Sequence, residues 1–268
     1  MTEPARTPPP APESSGRLKP PTTPPAAPPA ARAGGPPPKK EESALREWTR
    51  SILFAVIAWL ILKTFLLEAF RIPSSSMENT LLVGDFLFVN KAIYGAAVPF
   101  TGAHLPAFRE PRRNEILVFN SVEEDLDVVK RAVGVAGDTL AMRGGTLYRN
   151  GQPVDEPYVV HADISKSEAP STRARMRAWQ LQYYIGENPG SYAPDLQDWG
   201  PIVVPANSYF MMGDNREESH DSRTWGFLPR ENVEGTPMFI YYSYNGESWR
   251  SMPWLTDIRW TRFFHRPR

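Results

Sequence analysis

Thr139-Leu140-Ala141-Met142-Arg143-Gly144-Gly145-Thr146-Leu147-Tyr148-Arg149-Asn150-Gly151 decides the fold. Two short runs, Thr139 to Met142 and Thr146 to Tyr148, are closed off by Gly144-Gly145 and Asn150-Gly151. Both dipeptides suit the positive φ angles of two-residue hairpin turns. Similar runs, rich in apolar, β-branched or aromatic residues, recur at Asp85 to Asn90, Glu115 to Phe119, Asp127 to Val133, Ser208 to Met212 and Pro237 to Tyr242. No long amphipathic helix and no strand–helix–strand alternation accompanies them, so the reading is a mainly antiparallel β domain. His161 to Gly200 differs. It is polar, carries Arg173, Arg175 and Arg177, and reads as an insertion away from the chemistry with a solvated basic face.

Upstream stands one apolar segment, Ser51 to Phe70, of 20 residues. As a helix it spans roughly 30 Å, about one hydrocarbon core. Lys63 inside it costs about 3 kcal/mol, but each Leu, Ile, Phe or Val returns roughly 0.3–0.6 kcal/mol and a dozen outweigh it. Lys63 also lies near one end, where its stem can snorkel. A cleaved signal sequence fits poorly, because Glu68-Ala69-Phe70-Arg71 is no small-residue cleavage site. Lys39, Lys40, Arg46 and Arg50 precede the segment and only Arg71 follows closely. The positive-inside rule then predicts a single-pass anchor with a cytoplasmic N-terminus and everything after Phe70 outside.

The chain has 268 residues, 29 prolines, no cysteine and a formal net charge of zero. About half of the prolines precede Lys39, in a stretch too poor in large apolar residues to offset chain entropy, so residues 1–45 read as a disordered tail. Zero net charge offers no case for nucleic acid as a partner. The absence of cysteine excludes disulfides, thiolate metal sites and cysteine catalysis. His104, His161, His220 and His265 are scattered and form no metal-ligand pair. The aromatic C-terminal stretch (Trp249, Trp254, Trp260, Phe263, Phe264) suits either a membrane interface or packing on the β core.

Two residues stand out chemically. Ser76, in Pro73-Ser74-Ser75-Ser76-Met77, follows the anchor almost at once, and Lys130 sits among Val128, Val129 and Val133. A serine nucleophile without a nearby histidine needs another base, and a lysine whose pKa burial has lowered can supply it. Lys130 could equally face solvent from an alternating strand, and Ser76 could simply form a turn. A third motif, Gly213 to Gly226, is dense in hydrogen-bonding groups, and its carboxylates do not have calcium-loop spacing.

Together these stretches resemble type I signal peptidase, the membrane-anchored Ser-Lys serine protease family. The resemblance covers the anchor and Ile72 to about Tyr242, through four segments in family order: Pro73 to Leu81, Arg113 to Phe119, Val129 to Asp138, and Gly213 to Gly226. It implies that Ser76 is the nucleophile and Lys130 the general base. Ser74 would assist the oxyanion hole, Ser219 would orient the lysine amine, and Asp221 with Arg223 would form a supporting ion pair. Ile72, Met77, Leu81 and Val129 would line shallow pockets for small residues at −1 and −3. The implied substrates are secreted preproteins with signal peptides, met at the lipid bilayer, and no metal or cofactor is implied. Asn79 replaces a proline common in the family, Asn114-Glu115 replace Gly-Asp, and Glu217-Glu218 stand where Asp-Asn is common.

The domain plan is thus a tail over 1–45, an anchor over 46–70 and a peptidase domain over 71–268. Within the last, the catalytic core is about 71–140 and 201–248, with a cap inserted at about 141–200. Two other readings stay open: a specialised Ser-Lys processing peptidase with few substrates, and a catalytically silent, membrane-tethered β scaffold. Retention of Ser74, Ser76, Lys130 and Ser219 argues against the silent form.

Overall fold

The computed structural model describes residues 44–96, 98, 101, 103, 105–161 and 169–268. Residues 1–43, His104 and part of the 161–200 stretch lie outside the described residues. The apolar helix α1 covers Ala44–Ile61 and continues through a π-type turn, Leu62–Leu66. It therefore starts two residues inside the stretch assigned to the tail and stops short of Phe70. From Arg46 to Leu66 it is apolar enough to cross a bilayer, and none of it is buried.

The remaining apolar residues of that run become strand β1, Leu67–Arg71. This corrects the reading of Ser51 to Phe70 as one helix. The reason is tertiary: β2, Asp85–Asn90, offers an edge that pairs Leu67 with Asn90 through Arg71 with Phe86. Lys91 secures the switch, its amide donating to Leu66 O and its Nζ lying 2.7 Å from Glu68 Oε2.

The other strands are β3 (Ile116–Asn120), β4 (Asp127–Val135), β5 (Thr139–Arg143), β6 (Thr146–Arg149), β7 (Gln152–Pro153), β8 (Trp199–Val203), β9 (Ser208–Met212), β10 (Leu228–Pro229) and β11 (Val233–Ser243). They form two antiparallel sheets. The larger runs β1-β2-β11-β3-β4-β9-β10 and the smaller β7-β6-β5-β8. Gly144-Gly145 joins β5 to β6 and Asn150-Gly151 joins β6 to β7, each residue at positive φ as the turn chemistry requires.

Side-chain alternation distributes these strands among separate cores. Ile116 and Val118 of β3 pack with Ile72, Met77, Leu81 and Leu87, whereas Leu117 and Phe119 pack with Tyr94, Met211 and Leu228. Each such fully buried side chain is worth roughly 1.5–3 kcal/mol. A third core under the small sheet holds Val133, Leu147, Met176, Trp199 and Phe210.

Met176 belongs to α2, Pro170–Gln180, a helix within the stretch read as a remote insertion. That reading is corrected. Trp179 Nε1 and Gln180 Nε2 both donate to Arg223 O, so the insertion packs on the third motif rather than away from it. Its arginines are engaged as well: Arg175 pairs with Glu123, and Arg177 Nε donates to Tyr192 O. Of the C-terminal aromatics, Phe263 meets Tyr242 and Phe264 meets Phe239, while Trp249 and Trp254 are exposed.

Candidate active site

Ser76 sits in a single 3-10 turn, Ser75–Met77, entered from Ser74 in extended conformation. Ile72 and Met77 plunge into the core on either side, so the chain between them is short and held at both ends. Ser76 O accepts from Asn215 N at 3.1 Å, which ties the turn to the third motif. Asn79 then adopts φ 81° and donates from Nδ2 to Tyr158 O at 3.1 Å. Proline cannot reach that φ, so the substitution changes the local path of the loop. Asn114, at φ 65°, stands where a glycine is common and is the side chain that best tolerates this region.

Lys130 reaches the turn from β4, only 5 % exposed, with Nζ 2.7 Å from Ser76 Oγ and 3.1 Å from Val129 O. It therefore does not face solvent. Burial pushes its pKa down to about 8, although the charges of Asp221 and Asp214 pull the other way. The charged ammonium donates to Ser76 Oγ; in the neutral amine the direction reverses and the serine hydroxyl donates to the nitrogen lone pair.

The third motif closes around this pair. Gly213 has no room for a side chain, since a Cβ there would stand 2.3 Å from Ser219 Oγ and 2.5 Å from Ser76 O. Among the described residues Ser219 Oγ is buried with no partner at full hydrogen-bond geometry, although it lies near enough to Asp221 to help lower that carboxyl's pKa. It makes no bond to Lys130 in this structure. Asp221 caps the short helix α3, Ser222–Trp225, and holds Arg223 through Nε at 2.8 Å and Nη2 at 2.8 Å. Burial favours the neutral acid at Asp221, but Arg223 and the Gly213 amide outweigh it and keep the carboxyl below the usual range.

Sequence reasoning passed over a second buried pair. Arg131, next to Lys130, forms a fork with Asp214 at 2.8 and 2.7 Å, and Thr80 Oγ1 donates to Asp214 Oδ2 at 2.5 Å. The available signal was an arginine inside an apolar strand, which demands a carboxylate partner.

A shallow cleft of about 140 Å³ opens on Ser76. Phe70–Ser74 form one wall and Leu126–Lys130 the other; Ile72, Met77 and Val129 line it beside Ser74, Ser76 and Lys130. Leu81, expected among the pocket residues, does not line it but is fully buried beneath Ile72 and Met77. Ser74 Oγ stands 3.4 Å from Ser76 Oγ.

Comparison with known proteins bears on this arrangement. The family model described as "Signal peptidase, peptidase S26" matches residues 45–242. The chain is 32 % identical over 204 residues to signal peptidase I of Bacillus licheniformis, covering 76 % of this chain and 91 % of that protein. It is 33 % identical over 205 residues to signal peptidase I P of Bacillus subtilis subsp. natto, covering 76 % and 91 %. It is also 33 % identical over 228 residues to signal peptidase I of Pseudomonas aeruginosa, covering 78 % and 76 %.

Proposed function

The chain belongs to the signal peptidase I family, peptidase S26, and is a serine peptidase that removes signal peptides from preproteins; on that premise we propose that Ser76 and Lys130 carry the reaction. The carrying observation is the 2.7 Å approach of a buried lysine amine to the serine hydroxyl. Neutral Lys130 Nζ takes the Ser76 proton as Oγ bonds to the scissile carbonyl carbon. The Ser74 hydroxyl and the Ser76 amide stabilise the oxyanion. Collapse breaks the C–N bond, and the Lys130 ammonium returns the proton to the leaving amine, the new N-terminus of the mature protein. Water, deprotonated by the same amine, then hydrolyses the ester and frees the signal peptide and Ser76.

Ser219 is the positioning hydroxyl for the amine; its Oγ is buried beside Asp221 with no partner at full hydrogen-bond geometry among the described residues. Asp221 and Arg223 fix the loop that presents it. Ile72, Met77 and Val129 leave space only for small side chains at −1 and −3, with Leu81 as the prop beneath; larger groups are excluded sterically. Phe70–Ser74 and Leu126–Val129 bound the cleft as two extended walls, which suits a substrate lying between them as a further strand.

α1 crosses the bilayer. Its apolar side chains are largely exposed, Phe54 at 74 % and Trp59 at 58 %, and among the described residues no protein surface buries them. The excess of Lys39, Lys40, Arg46 and Arg50 over Arg71 supports a cytoplasmic tail before Arg46 and a β domain outside the plasma or inner membrane. The peptidase domain then begins at Leu67, with the 141–200 region as a cap over the third motif. A neutral chain of this kind engages preproteins and lipid rather than nucleic acid.

The test is cleavage of a purified preprotein bearing an Ala-X-Ala site, in lipid, by wild type, Ser76→Ala and Lys130→Ala. Cleavage after the second alanine by wild type alone is expected. Near-normal turnover by Lys130→Ala refutes the base assignment, and absence of cleavage by folded wild type favours a peptidase restricted to few substrates.

A further inference from the structure

The segment after β11, Tyr244 to Arg268, lies beyond the residues that the family model matches. It folds back along β11, with Phe264 N donating to Ile240 O and Ile240 N to His265 O. Its hydrogen bonds converge on the loop that follows Ser76. Arg262 faces Asp85, a carboxylate with no exposed surface, through Nε at 2.9 Å to Oδ1 and Nη2 at 2.6 Å to Oδ2. The same Nη2 donates to Thr80 O at 2.9 Å. Arg259 Nη1 donates to Val83 O at 2.9 Å, and Arg268 O accepts from Arg131 Nη2 at 3.2 Å.

Thr80 is the junction. Its amide donates to Met77 O at 3.1 Å, its hydroxyl to Asp214 at 2.5 Å, and its carbonyl is held by Arg262. Met77 is the neighbour of the nucleophile, and Asp214 is the partner of the arginine beside Lys130. Asp85 in turn accepts from Leu82 N at 2.8 Å and Ser243 Oγ at 2.7 Å, so the turn Leu81–Asp85 is organised around a charge that Arg262 balances. A lysine could balance the charge but could not hold both carboxylate oxygens and the Thr80 carbonyl in one plane.

We propose that Arg262 is a positioning residue for catalysis: the C-terminal arm clamps Asp85 and Thr80 and thereby sets where Ser76 stands relative to Lys130. Arg262 touches no reacting atom. The proposal rests on Ser76 and Lys130 being the reacting pair.

The experiment uses the full chain in lipid and two variants, Arg262→Lys, and Arg262→Gln combined with Asp85→Asn, which removes both charges so that no carboxylate is left buried alone. Arg250→Ala, an exposed arginine of the same arm, is the control. Thermal unfolding identifies which variants retain the wild-type transition. In those, kcat is expected to fall about ten- to hundred-fold, as for a misplacement of order 1 Å, with KM within about two-fold. The pH midpoint of kcat/KM should stay close to that of wild type, because burial in the core, the main cause of the low Lys130 pKa, does not depend on Arg262. Labelling of Ser76 by a serine-acylating probe should slow in parallel. A folded variant with kcat within about two-fold of wild type, or with its whole loss in KM, overturns the proposal. Ser76→Ala run alongside separates the two readings: activity there sinks the reacting pair, whereas a dead Ser76→Ala with fully active Arg262 variants sinks only the clamp.

Discussion

Lys130 offers the most quantitative test. Burial carries its pKa from the ordinary 10.5 down to about 8. At pH 7 an ordinary lysine is neutral in about one molecule in 3,000, whereas one with pKa about 8 is neutral in about one in eleven, a gain of nearly 300-fold. Only the neutral amine accepts the Ser76 proton, so kcat/KM should climb about ten-fold per pH unit up to about pH 8 and then level. The same displacement acts on stability. Between about pH 8 and 10.5 the unfolded chain holds a proton that the folded chain has released, so stability falls as pH falls through that window. The total is about 3 kcal/mol, and the deficit persists below pH 8. Lys130→Met should therefore be more stable than wild type at pH 7, by up to about 3 kcal/mol less the lost bonds to Ser76 and Val129, with the gain vanishing toward pH 10.5. The assays are cleavage of a preprotein from pH 6 to 10 and urea unfolding of both proteins in detergent at three pH values. A rate midpoint near 10.5, or a Lys130→Met protein no more stable at pH 7 than at pH 10.5 relative to wild type, would refute the reasoning.

Gly213→Ala puts a methyl group 2.3 Å from Ser219 Oγ and 2.5 Å from Ser76 O, so one of them must move. kcat should drop about ten-fold or more and unfolding should lose about 1–3 kcal/mol to overpacking, and unimpaired turnover would show that the loop yields without disturbing Ser76. Trp199→Ala empties the core under the small sheet, where the side chain is 1 % exposed. It should cost about 3–5 kcal/mol in denaturant unfolding yet leave kcat little changed below the transition, and a loss under 1 kcal/mol would mean that the core closes over the gap.

Most strands were legible because their alternation and turn residues are local properties. Asp85 to Asn90 and Ser208 to Met212 run in the structure as the sequence pattern has them. β8 escaped because Gly200-Pro201 breaks its pattern; it survives as a strand on the edge of the small sheet, where a missing amide costs nothing. α2 escaped because its arginines hide a narrow buried stripe of Met176 and Gln180. β1 escaped because Leu67 to Phe70 continue an apolar run, and only the free edge of β2 turns them from helix to strand.

The residue types at Ser76, Lys130 and the third motif, the apolar anchor run and the hairpin turns belong to the sequence by itself, since each follows from composition or spacing over a few residues. The 2.7 Å contact across 54 positions, the depth at which Lys130 loses its proton, and the hold of Arg262 on Asp85 belong to the tertiary structure. Distance between remote residues and the removal of water are set by how sheets curl and pack, and no local pattern carries either.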